Sequence, residues 1–165
     1  MKLTRTLVIG VLGAIIAVAI ERLSGWIAGR DADLCLLVGV ALTGSASTTS
    51  MVLGCVGQLI VAVISAYVYA VIFEYVTRRA GAVIGFIVGL GHVTVGGLVV
   101  GFMPGEALMN AGIMPPGAFM EYRGAIVVAG FLLAHVAFGT FIGAAYGPTV
   151  HAASPPAPRW REVES

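Results

Sequence analysis

Gly81–Phe102 reads GAVIGFIVGLGHVTVGGLVVGF. The stretch holds no charged side chain and no proline, and its one imidazole, His92, lies near its centre. Roughly 20 apolar residues wound as an α-helix match the hydrocarbon thickness of a bilayer. A transmembrane strand would alternate apolar and polar residues with period two, whereas this run is apolar on every face. It therefore predicts a membrane-spanning helix, and the rest of the chain repeats the pattern. Leu7–Ile27, Met51–Val76 and Gly124–Gly147 form three further windows of the same kind. The expected fold is all-α: a four-helix transmembrane bundle in one domain over residues 1–147, with a disordered tail over 148–165.

Composition supports that class and excludes others. Hydrophobic residues make up 59% of the 165 residues and charged residues 10%. So few charges cannot cover a water-facing surface. A disordered chain would be polar and charged. A nucleic-acid partner is not expected, since the net charge is +1 and no basic stripe is present. The expected surroundings are the lipid bilayer, with a second copy or another membrane protein as a candidate partner.

Loop charges predict orientation. Lys2 and Arg5, Arg78 and Arg79, and Arg159 and Arg161 all fall on one side of a four-span bundle. Arg22, Arg30 and Arg123 fall on the other, beside Glu21, Asp31, Asp33, Glu106 and Glu121. The excess of Lys and Arg places both termini in the cytoplasm. Trp26 and Tyr122 are expected at the outer interface, Tyr75 and Tyr146 at the inner one. A competing reading starts from Lys2 and Arg5, followed by an apolar run and Ala17-Val18-Ala19, which has the form of a cleaved signal peptide. The apolar character resumes after Arg22 as far as Ile27, longer than a usual signal core.

Leu34–Leu42 is too short to span. Small polar residues from Thr43 to Ser50 follow it. It is expected as a short helix in the outer interface, packed over the bundle mouth or dipping into the membrane. Cys35 and Cys55 lie on the same side, where a disulfide is conceivable. Two buried, small apolar side chains are the plainer expectation.

Helices in lipid associate through close packing rather than hydrophobic drive, so small residues four apart mark contact faces. Gly81, Gly85 and Gly89 form one such stripe, and Gly139, Gly143 and Gly147 another. Ala62, Ala66 and Ala70 line the second span, Gly10 and Ala14 the first. A faint repeat at an offset of 77 residues would superpose Tyr69 on Tyr146 and Gln58 on His135.

Polar groups inside a membrane are costly and so mark candidate function. His92 and His135 each lie about ten residues from the ends of their spans, roughly 15 Å deep. Gly96 and Gly139 follow them by four residues, on the same helix faces. Two midplane histidines flanked by glycine suit a haem with two axial imidazoles. With Gln58 they suit a metal, and with the neighbouring hydroxyls a proton or small-solute path. The plainest expectation is interhelical hydrogen bonding to Thr94, Thr140 or Gln58. Glu21 and Arg22 are expected to snorkel to the interface. Glu74 and Arg78 have the spacing of a solvated ion pair. Met103, Met109, Met114 and Met120 crowd one loop, as a Cu(I) site would require, though methionines also fill irregular contacts. No phosphate-binding loop, metalloprotease helix or nucleophile elbow is present, and no enzyme is expected.

The fourth span, from Ala134-His135 through Phe138-Gly139 and Gly143 to Tyr146-Gly147, resembles the ending of a group of small bacterial four-span membrane proteins. Gly91-His92, Gly96-Gly97 and Met103-Pro104 are similar to the same group. The resemblance implies a retained first span and a bacterial inner membrane, and no activity. On sequence grounds the first expectation is an accessory or scaffolding protein acting through helix contacts. A haem or metal carrier and a solute pathway are the alternatives.

Overall fold

The computed structural model describes residues 1–30 and 33–151. Its order is α1 (Leu3–Ala28), α2 (Leu34–Thr43), α3 (Thr48–Val71) continued by a wide π turn (Ile72–Val76), α4 (Ala82–Gly101), α5 (Gly105–Asn110), a 3₁₀ segment (Ala118–Arg123) and α6 (Ala125–Tyr146). No strand occurs among the described residues. α1, α3 with its π turn, α4 and α6 are long and apolar enough to cross a membrane. Their perimeter carries large apolar side chains in the open, such as Val83, Ile87, Val95 and Val99 on α4, the surface that lipid tails cover.

The helices are ordered α3–α1–α6–α4, with α6 packed extensively on both α1 and α4. Glycine sets this order. A Cβ added at Gly85 would fall on the Gly139 carbonyl, and one at Gly143 would come within 2.8 Å of the Gly85 Cα. The two glycine stripes therefore meet each other within one chain, backbone against backbone. Gly147 does not join them: it ends α6 with a positive φ of 73°, beside the Arg5 guanidinium. Gly81 likewise stands just before α4, where its carbonyl abuts Gly143.

The N-terminus and residues 148–151 lie at one end. There the Lys2 ammonium donates to the Pro148 carbonyl, and Arg5 Nε donates to the Ala145 carbonyl at 2.8 Å. Arg5 satisfies a carbonyl that the last turn of α6 leaves open, and Lys2 one just beyond the helix. The tail expected to be disordered begins in contact with the bundle. Residues 148–151 fold back onto it, and 152–165 lie outside the described residues.

The opposite end is closed by α2 and the 102–124 loop. α2 starts on Asp33, whose carboxylate accepts from Leu36 N, and α3 starts on Ser47, whose hydroxyl accepts from Ser50 N at 3.1 Å. Leu34, Leu37 and Val40 of α2 join Val93, Val100, Leu108, Met120, Val127 and Phe131 in one core cluster. α2 is thus the short capping helix the sequence implied. It lies so close to α3 that a Cβ at Gly54 would fall on the Cys35 carbonyl. The same approach joins Cys35 and Cys55 in a disulfide with Cα atoms 4.6 Å apart. The plainer expectation of two unlinked apolar cysteines is corrected here. Glycine at 39 and 54 removes the bulk that would hold the two backbones apart.

Candidate functional site

The four helices do not close evenly. Near the termini α1 and α3 touch at Gly10, where an added Cβ would lie 2.9 Å from the Ala66 Cβ. Toward the disulfide end they diverge around a half-open cavity of about 540 Å³. One wall is α1 from Ala14 to Arg22, and the other is α3 from Cys55 to Ser65. His92, His135 and Phe138 line it from α4 and α6, and Cys35 borders it from α2. The volume falls in the range of small-molecule sites, and the lining has their usual composition: apolar walls with a few convergent polar groups.

Both predicted histidines and Gln58 line this cavity. The imidazoles of His92 and His135 meet edge to face, with centroids 5.0 Å apart. His92 hydrogen-bonds at both nitrogens to α3: Nε2 with Ser65 Oγ at 3.4 Å, and Nδ1 with the Tyr69 hydroxyl at 3.3 Å. His135 Nδ1 donates to the Phe131 carbonyl one turn earlier, at 2.9 Å. That bond leaves Nε2 as the acceptor nitrogen. Gly96 makes room for it, since a Cβ there would lie 2.9 Å from His135 Nε2. The expected partners Thr94 and Thr140 bond instead to carbonyls of their own helices, at Leu90 and Val136. Gln58 Nε2 is buried with no hydrogen-bond partner among the described residues.

These residues do not fit a haem. A macrocycle between two axial imidazoles would have to pass through the contact the rings make with each other. The room at Gly96 is taken by the His135 ring, and that at Gly139 by the α4 backbone. Among the described residues no three of His, Cys, Asp and Glu gather as a metal would need. The loop methionines part company as well: Met120 is buried in the core, while Met109 and Met114 are exposed.

Two carboxylates are placed otherwise than expected. Glu21 does not snorkel. It is 8% exposed and turns into the cavity, while Arg22 pairs with Asp33 at 2.8 Å. Glu74 makes no surface pair with Arg78. It is fully buried, accepting from the Tyr146 hydroxyl at 2.7 Å and from the backbone N–H groups of Val150 and His151 at 2.8 and 3.0 Å. The π turn is the cause. One extra residue in the turn shifts the helix phase and buries Phe73 and Glu74 side by side. Tyr146, expected at the lipid interface, is buried as its partner.

The fold and the cavity together define a multi-pass α-helical membrane protein with an intramembrane cavity. Comparison with protein families, curated proteins and solved structures gave no match.

Proposed function

We propose that this chain is a non-catalytic membrane protein that binds a small, largely apolar solute in the cavity between α1 and α3. The observation that carries the proposal is the cavity itself. Apolar walls meet a small set of polar groups, of which Gln58 Nε2 has no partner among the described residues. A buried amide N–H left unbonded costs about 1–3 kcal/mol. A bound solute with one acceptor atom would recover that cost. Of the readings open on sequence grounds, the small-solute pathway is the one this geometry favours. A scaffolding role loses its particular support, because the glycine seam is spent between α4 and α6.

The proposed setting is a bacterial inner membrane with both termini cytoplasmic. Lys2, Arg5, Arg78 and Arg79 at the terminal end support that orientation. The group of four-span proteins that the third and fourth spans resemble supports that membrane.

A neutral aromatic probe tests the proposal. Trifluoromethylbenzene, followed by fluorine NMR with the protein in an uncharged detergent, should exchange into the wild-type cavity. Its line should broaden saturably, above the broadening caused by the micelle. Ala17→Leu, which fills the cavity wall, should abolish the excess. Equal broadening in both proteins would overturn the proposal.

A further inference from the structure

Among the described residues, Glu21 is the one acidic side chain in the cavity lining. It stands on α1 two turns before Ala28, where that helix is inside the membrane-spanning length. Its carboxylate has no hydrogen bond and no ion pair among the described residues, although the residue is 8% exposed. Arg22 also lines the cavity, but its guanidinium is already paired with Asp33 at 2.8 Å. The imidazoles offer it nothing: His92 is held by Ser65 and Tyr69, and His135 by the Phe131 carbonyl. A bare carboxylate in such a place is costly, and it needs either a proton or a cation.

The surroundings favour the cation when a solute is present. The walls are methyl and methylene groups from Ala14, Ala17, Val18, Leu59, Val61 and Ala62, suited to an apolar body. Phe138 also lines the cavity, and an aromatic face attracts a positive nitrogen. The Gln58 amide can turn to offer its oxygen to the same charge.

We propose that the cavity takes a lipophilic organic cation, its positive nitrogen set against the Glu21 carboxylate and its apolar body against the α1 and α3 walls. The proposal rests on the cavity being a solute site and adds the charge of the solute. No covalent step is involved; the carboxylate is a counter-ion, and a proton held on it in the empty state leaves as the cation enters.

Two probes of one shape test it. Benzyltrimethylammonium and neopentylbenzene differ in a single atom, a charged nitrogen against a neutral carbon. Equilibrium binding of each to the full chain in an uncharged detergent is measured against Ala17→Leu, which subtracts uptake by the micelle. The wild type should prefer the cation by at least about tenfold, a difference of about 1.4 kcal/mol. Glu21→Gln should cut the preference to within about twofold while neopentylbenzene still binds. The wild-type comparison needs no variant, so it decides the question even if Glu21→Gln fails to fold. Equal binding of the two probes, or a preference that survives Glu21→Gln, would overturn the cation while leaving the cavity as a solute site. Binding of neither probe would overturn both.

Discussion

The seam between α4 and α6 and the cleft between α1 and α3 are built from the same material, small residues on apolar helices, and they end in opposite states. In the seam, Gly85 faces Gly139 and Gly143 with no space for a methyl group on any of the three. In the cleft, contact is as close at Gly10 and Ala66, but by Ala17 and Ala62 the helices have separated around a cavity. The difference lies in what else sits on α3. At the disulfide end α2 lies directly on it, with Gly39 over the Ser50 carbonyl and Gly54 over the Cys35 carbonyl. Where α3 already carries α2, α1 stands off. A stripe of small residues therefore shows that a helix surface is flat, and the neighbour that uses the flat surface has to be found elsewhere.

The same increase in bulk on the two sides is the sharpest way to break this comparison. Gly143→Leu puts a branched side chain where the Gly81 carbonyl and the Gly85 backbone already stand. Nothing there can yield except the helices themselves, so the cost should exceed the usual overpacking penalty of about 1–3 kcal/mol. The expected outcome is loss of the monodisperse species in size-exclusion chromatography. Ala17→Leu should leave that species intact and remove only probe binding, because Ala17 lines the cavity. If Gly143→Leu ran as wild type, the seam would not be the contact described here.

Breaking the disulfide should have the next largest effect, and it bears on why the cleft stays open. The bond closes a loop with a sequence separation of 20, for which loop-closure entropy gives about 3 kcal/mol. Cys35→Ala combined with Cys55→Ala should lower the thermal midpoint by an amount of that order. Freeing α2 from α3 should also let α1 approach, so fluorinated-probe broadening should fall. Unchanged probe uptake in a destabilised double variant would show that α2 holds the cleft open by packing alone, through Leu34, Leu37 and Val40.

At the terminal end, Glu74 closes the bundle as firmly as the cleft opens it. Removing one charge-assisted hydrogen bond by Tyr146→Phe should cost about 1.5–3 kcal/mol, because the carboxylate stays buried with one partner fewer. Hydrogen exchange at the Val150 and His151 amides should rise with it, since the same carboxylate accepts from both. Amides that stay protected would place their protection elsewhere.

The four spans, the capping helix and the mid-helix positions of the two histidines are legible in the sequence because each follows from length and hydropathy along the chain. The carboxylates are not. Glu21 beside Arg22, and Glu74 four residues before Arg78, look like ordinary helix-end charges, and sequence spacing does not show which way a side chain turns. For Glu74 the answer depends on a π turn, which has no composition signal of its own. The disulfide does have a signal. Cys35 and Gly39 share a face of α2, and Gly54 adjoins Cys55, so two glycines stand where two backbones have to meet. Ser65 and Tyr69 are not legible as partners of His92, because they lie on a different helix and spacing along the chain does not join the two.

Gln58 gives the smallest effect and the finest distinction between a cleft that serves packing and one that serves a solute. In a packing role its amide would be bonded, and Gln58→Leu would cost stability. Here Nε2 is buried without a partner among the described residues, so removing it relieves a desolvation cost rather than breaking a bond. Leucine is close in length and adds no polar group. Gln58→Leu should therefore leave the thermal midpoint unchanged or raise it by the equivalent of up to about 1 kcal/mol. Benzyltrimethylammonium should nevertheless bind more weakly to that variant, since the amide oxygen that would turn toward the charge is gone. A destabilised Gln58→Leu with undiminished cation binding would assign the amide to the fold and leave the charge of the solute to Glu21 alone.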